Sequence, residues 1–184
     1  SQAASRYGAS LCKSPDYQCV KVKRRQSWAS LFPNPEQRDI VRRINRMNTR
    51  LYPGLIIAVP RNLEYLTVYD VSPFPRYIEP PGEKVLYISQ KHLAFAAYDS
   101  EGELIWWGPV STGKNYCADI NERCTTPSGE FRVIRKQSLE CVSSAFPKRP
   151  DGNHGGAPMP YCMHFYRGYA LHGSATVPGK RDSH

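Results

Sequence analysis

The chain has 184 residues, 40% hydrophobic and 11% aromatic, so it can bury a real core and form one large domain or a medium and a small one. Its net charge of +9 lies entirely in residues 1–62, where 12 lysines and arginines meet 3 acids; residues 63–184 balance at 13 and 13. That asymmetry argues for two parts with different partners, the first drawn to an anionic cell-wall polymer, membrane surface or nucleic acid. No apolar run approaches the roughly 20 residues that span a bilayer, which excludes a helical membrane anchor within this sequence.

The small polar start, SQAASRYG, shows no signal peptide and fits a mature N-terminus after cleavage or a trimmed one. Residues 19–23, CVKVK, alternate apolar and charged and read as a half-buried strand. SWASLF at 27–32 predicts one or two helical turns. Asn34-Pro35-Glu36-Gln37 is a helix start, with Asn as N-cap and Pro at the first helical position. Ile40, Val41, Ile44 and Met47 then recur at helical spacing, with Arg38, Arg42, Arg43 and Arg46 on the other faces. Tyr52-Pro53-Gly54 makes a turn, and Leu55 to Val59 is a short strand ended by Pro60. The order over residues 19–62 is strand, helix, helix, strand. It closes on LYPGLIIAVP and resembles a LysM module, a small βααβ fold. That resemblance implies binding of N-acetylglucosamine-containing glycan. The usual Gly-Asp-Thr turn after the first strand is replaced here by Arg25-Gln26-Ser27.

From Asn62 onward the pattern becomes β. Residues 70–83 are proline-rich, a linker or a strap on the following domain. VLYIS (85–89), HLAFAAY (92–98) and Leu104 to Trp107 predict strands, with a hairpin-type turn at Asp99-Ser100-Glu101-Gly102. GEFRVIR at 129–135 alternates strictly and predicts another strand. Residues 138–158 lack periodicity and read as a long loop; 163–171 is apolar and aromatic with a break at Gly168. The fold class expected is mainly β, an antiparallel sandwich or barrel behind a small N-terminal βααβ domain. The division expected is a 1–18 segment, a 19–62 LysM-like module, a 63–83 linker or strap, and an 84–184 β domain.

Six cysteines allow fifteen complete pairings. The shared C-x6-C spacing favours Cys12–Cys19 and Cys117–Cys124, which leaves Cys141–Cys162. The competing readings are a zinc site, for which the usual close ligand pairs are absent, and six buried thiols. Three disulfides imply an oxidising compartment, periplasmic or secreted.

Four phrases carry the chemistry: VSTGK (110–114), TTPSGEF (125–131), MPYCMHFYRGYALHGS (159–174) and VPGKRDSH (177–184). Together, over about residues 84–184, they resemble the YkuD-type L,D-transpeptidase catalytic domain. The arrangement also looks like the secreted enhanced-entry-type members of that family. The resemblance implies acyl transfer through a cysteine thiolate. A tetrapeptide stem is attacked between its third residue and terminal D-alanine, and the acyl group passes to an amine or to water. Such a thiol needs a neighbouring base to ionise at neutral pH, and the tetrahedral intermediate needs oxyanion donors. By this resemblance His172 is the base, Gly173 and Ser174 shape the pocket, and Ser183 and His184 lead to the nucleophile. Tyr161, Phe165 and Tyr169 would line the stem-peptide groove, with core packing as the competing reading.

The nucleophile would fall two residues beyond His184. None of the six cysteines holds that place, so the 184-residue chain is expected to be inactive by itself. A cut before a Gly-Cys pair, a homologue that kept binding but lost chemistry, and a remainder that exists outside these 184 residues all fit. His92, His154 and His164 read as structural histidines, and Trp106 and Trp107 as core or sheet-face residues. Asp119, Glu122 and Asp151 show no pairing suited to carboxylate catalysis. Neither a cofactor nor a metal is expected. The partners expected are the peptidoglycan stem peptide and glycan rather than nucleic acid. The alternative is a non-catalytic wall-binding or host-contact protein.

Overall fold

A four-residue helix, α1 (Tyr7–Ser10), and a 3-10 turn at Leu11–Lys13 lead into strand β1 (Tyr17–Lys21). A disulfide from Cys12 to Cys19 ties the two together. The computed structural model describes residues 6–183. The strand starts two residues before the expected CVKVK because it pairs antiparallel with β2 (Ile56–Pro60) in the register Tyr17↔Pro60 to Lys21↔Ile56. Helix α2 (Trp28–Leu31) opens with a capping box between Ser27 and Ser30, and α3 (Pro35–Ile44) with Asn34, whose Oδ1 accepts from the amides of Glu36 and Gln37. The βααβ order of the first 60 residues is therefore present. Val22, Trp28, Phe32, Val41, Met47, Leu55 and Ile57 form its core. Met47 lies beyond the helix end but is 2% exposed, so its apolar spacing signalled burial correctly.

The helix arginines do not form a free basic face. Arg38 donates to the carbonyls of Phe32 and Pro33, Arg42 to that of Asn48, Arg43 to that of Trp107 and Arg46 to that of His92. Arg43 and Arg46 are buried. The Arg43 guanidinium lies 4.1 Å from the Trp106 ring centre, which replaces part of the hydration it loses.

A second antiparallel sheet orders β3 (Val85–Ser89), β4 (Ala94–Tyr98) and β5 (Leu104–Pro109). The β4–β5 turn uses Gly102 at φ +86, where a Cβ would strike the Ile78 carbonyl. One face packs Ala94, Ala96, Tyr98, Leu104 and Trp107 against Val68, Val71, Phe74 and Ile78. The proline-rich stretch is thus a strap rather than a loose linker over residues 68–78. Its backbone pairs with Gly102 and Leu104, and it accepts hydrogen bonds from the Tyr98 hydroxyl at Pro75 and the Trp107 indole at Val68.

A third sheet orders β6 (Arg135–Lys136), β7 (Met163–Tyr166) and β8 (Tyr169–Leu171). Arg167 at φ +49 and Gly168 turn β7 into β8. The strand expected over residues 129–135 is largely unformed: only Ile134 to Lys136 pair with β7, and residues 129–134 are otherwise irregular. Residues 138–158 form the expected long loop, pinned by Cys141–Cys162 and by isolated pairs Val142↔Pro158 and Lys148↔His154. The protein is mainly β, with three small antiparallel sheets. Among the described residues no sheet closes into a barrel.

Two compact units result. The first holds the chain up to Thr112 together with Thr176–Ser183, and the second holds Gly113–Ala175.

Candidate active site

The segment before His184 is fastened within the first unit. The Asn48 amide donates to the Val177 carbonyl at 2.9 Å, and the Val177 amide donates to Asn48 Oδ1 at 2.7 Å. The Tyr7 amide donates to the Gly179 carbonyl, Arg6 donates to that of Pro178, and Met47 and Pro178 form a bridge. Gly179 is buried at φ +79, and a Cβ there would lie 2.8 Å from the Asn45 carbonyl oxygen and 2.9 Å from Met47 Cγ. No other residue fits that corner.

VSTGK is the backing for this segment. Ser111 Oγ donates to the Lys180 carbonyl and accepts from the Asp182 amide, both at 3.0 Å. The Ser183 amide donates to the Thr112 carbonyl at 3.1 Å. The Thr112 hydroxyl, in a residue only 5% exposed, has no hydrogen-bond partner among the described residues. The sequence reading passed over Ser111 and Thr112 as site residues, although they stand inside a phrase it singled out. His184 lies outside the described residues.

One residue on, Gly113 donates its amide to Thr126 Oγ1 at 2.8 Å and lies so close to the Cys124 carbonyl that a side chain would overlap it. The VSTGK and TTPSGEF phrases therefore meet through a glycine and a threonine hydroxyl. The Cys117–Cys124 disulfide fixes the loop that brings Thr126 there.

In the second unit His172 follows directly after β8 and is exposed. Its Nδ1 lies 2.9 Å from the carbonyl oxygen of Gly173. With Nδ1–H donating to that carbonyl, Nε2 carries the lone pair and is the basic nitrogen. The Gly173 amide is in turn held by the Pro160 carbonyl at 2.8 Å. Ser174 is exposed. Tyr161 is 62% exposed at φ +56, with its amide bonded to the Ser138 carbonyl, beside the Cys141–Cys162 bridge. Phe165 and Tyr169 belong to one aromatic cluster. Phe131 lies 5.2 Å from Phe165 and from Tyr166, and Tyr166 stacks on Tyr169 at 6.4 Å. Phe131 and Tyr166 are the members that the sequence reading did not name. Phe131 is the final residue of TTPSGEF.

The other histidines make local contacts. His154 Nδ1 lies 2.8 Å from the Ser144 carbonyl, and His92 offers its carbonyl to Arg46. His164 lies 3.5 Å from Arg135, and its buried Nδ1 has no partner among the described residues. No group of three or more His, Cys, Asp or Glu that could hold a metal occurs among the described residues. All six cysteines are paired as Cys12–Cys19, Cys117–Cys124 and Cys141–Cys162. No helix among the described residues is long and apolar enough to cross a membrane.

No curated protein and no solved structure matches the chain. The YkuD family, described as the L,D-transpeptidase catalytic domain, matches residues 83–184. This span covers more than half of the chain and contains all four phrases. The chain therefore belongs to the YkuD family of L,D-transpeptidase catalytic domains.

Proposed function

We propose that the protein is a peptidoglycan L,D-transpeptidase that forms an acyl-enzyme on a cysteine and passes the stem peptide to an amine or to water. The observation that carries this reading is the family match over 83–184, together with His172 held through Nδ1 so that Nε2 is the free base. The six cysteines are all in disulfides and supply no thiolate, so the reading places the nucleophile two residues beyond His184, where the family motif has it. Ser183 and His184 form the approach to it, and Gly173 and Ser174 shape the pocket. Tyr161 and the cluster containing Phe165 and Tyr169 line the groove for the stem. In this reading residues 84–184 are a domain of the β sandwich or barrel class. The βααβ region acts as a LysM-like glycan-binding module over residues 19–62. Three disulfides and the family support an extracytoplasmic place of action, periplasmic or secreted.

Intact-mass analysis of the protein from its natural source, after iodoacetamide under non-reducing conditions, is expected to show one labelled thiol. No label at all would exclude the cysteine enzyme. In protein that carries this thiol, His172→Ala is expected to lower release of D-alanine from a tetrapeptide by about 10²- to 10⁴-fold. The melting temperature should stay unchanged, because the ring is exposed. An activity loss matched by a fall in melting temperature would assign His172 a structural role.

The full pairing of the cysteines also favours a second reading, a non-catalytic wall-binding or host-contact protein. It predicts retention on isolated sacculi with no new crosslink in the muropeptide profile.

A further inference from the structure

The first unit contains a cleft of about 580 Å³ that the transpeptidase reading does not use. It lies where α1, the start of β1, the end of β2 and residues 66–73 converge. Its volume falls in the range of small-molecule sites, about 300–1,000 Å³. Ile44, Leu66 and Val71 give it an apolar lining, and the hydroxyl-bearing rings of Tyr7 and Tyr17 stand beside Arg46.

Arg46 is the informative residue. It is 3% exposed and holds a left-handed backbone at φ +56. Its Nε donates to the His92 carbonyl at 2.7 Å, and Nη1 donates to those of Arg43 and Ile44 at 2.6 and 3.4 Å. Nη2 donates to the Tyr7 hydroxyl at 3.3 Å, and the guanidinium lies 4.3 Å from the Tyr7 ring centre. A guanidinium has five N–H donors, so one on Nη2 is left over among the described residues. No carboxylate among the described residues forms an ion pair with it. A buried cation without a counter-charge is costly, and burial lowers the Arg46 pKa accordingly. Burial also pushes the Tyr17 phenol upward, which keeps it a hydroxyl donor.

We propose that this cleft binds a small monocarboxylate with an apolar body, its carboxylate held by Arg46 Nη2 and the tyrosine hydroxyls. A carboxylate supplies the missing charge through charge-assisted hydrogen bonds, and the apolar body covers Ile44, Leu66 and Val71. Two acids also line the cleft, each engaged with its own turn. Asp70 accepts from Thr67, and Asp16 from Ser14. With Arg46 and with Arg61, which donates to the Pro15 carbonyl, they leave the lining near neutral, so a monoanion is preferred over phosphate.

The test is an NMR titration of the ¹⁵N-labelled full chain with sodium benzoate, benzamide and inorganic phosphate in parallel. Benzoate is expected to give saturable shifts centred on Tyr7, Arg46 and His92 with a dissociation constant near or below about 1 mM, and benzamide to bind about tenfold more weakly. Arg46→Gln should abolish the difference between benzoate and benzamide. Should that variant fail to fold, Tyr17→Phe, which keeps the ring, is expected to weaken benzoate several-fold. Equal binding of benzoate and benzamide overturns the proposal, as does tighter binding of phosphate, shifts centred elsewhere, or no shifts.

Discussion

Replacing Asn45 by alanine is expected to lower the stability of the first unit by about 3 kcal/mol, as two buried backbone groups lose their partners. Asn45 caps the C-terminal end of α3 and is 1% exposed. Its Oδ1 accepts from the Ala58 amide, and its Nδ2 donates to the Ala58 and Val41 carbonyls, each at 2.8 Å. It therefore bonds both backbone groups of Ala58, on the edge of β2 that β1 leaves open. Alanine orphans an amide and a carbonyl of a residue that water does not reach. Asn45→Asp should be at least as harmful at neutral pH, because it keeps the acceptor but sets a charge against two carbonyls. Gly8 provides an independent check. A Cβ at Gly8 would overlap Asn45 Oδ1, so Gly8→Ala should destabilise although alanine is the better helix former. The pair should be non-additive, since Asn45→Ala removes the atom that clashes. Urea titrations followed by tryptophan fluorescence measure this directly, as Trp28, Trp106 and Trp107 all belong to the first unit. An Asn45→Ala cost below about 1 kcal/mol, the size of an ordinary solvent-replaceable hydrogen bond, would refute the assignment.

Features written in local chemistry were legible before any coordinates. Asn34-Pro35 marks a helix start because the side chain and the ring satisfy the first turn within three residues. VLYIS forms β3 with the expected limits because apolar residues there meet the next strand in the chain, from Ser89↔Ala94 to Val85↔Tyr98. The cysteine spacing implied the pairing because a short loop closes most readily. Features that depend on distant partners were not legible. GEFRVIR alternates like a strand but stays largely irregular, since alternation needs a core to face and residues 129–140 are exposed. Helical spacing sets Arg43 and Arg46 apart from the apolar face, yet they are buried among Trp106, Trp107 and Tyr7 with backbone carbonyls as acceptors. The site divides in the same way. The order of the four phrases carried the family, which then matched 83–184. The supports of the C-terminal segment, Asn48, Ser111 and Thr112, come from up to 129 residues away and leave no periodicity to read.

Reduction of the second unit's two disulfides is expected to unfold it while the first unit stays folded. Within Gly113–Ala175 the only buried side chains are those of Cys117, Cys124, Cys141 and Cys162. The three hydrophobic core clusters all lie in the first unit. A unit of this size without an apolar core depends on covalent staples. On the chain-entropy account, closing a loop of separation 7 contributes about 2.4 kcal/mol and one of separation 21 about 3.3 kcal/mol. Together these reach the lower range of total stability for a small domain, about 5 kcal/mol. The first unit also loses Cys12–Cys19 on reduction, but that bridge closes only a short loop beside two packed layers. Amide exchange before and after dithiothreitol should show protection lost over residues 113–175 and retained at Ile57, Ala96 and Trp107, with tryptophan fluorescence nearly unchanged. The double variant Cys141→Ser, Cys162→Ser should reproduce most of the effect without reductant. Loss of protection in both units at one reductant concentration would show that the staples support the chain as a whole. Because His172 and Gly173 stand ten and eleven residues past Cys162, selective loss would also tie the proposed base to an oxidising compartment. A reduced chain would keep its folded first unit and lose the carbonyl at Pro160 that positions Gly173.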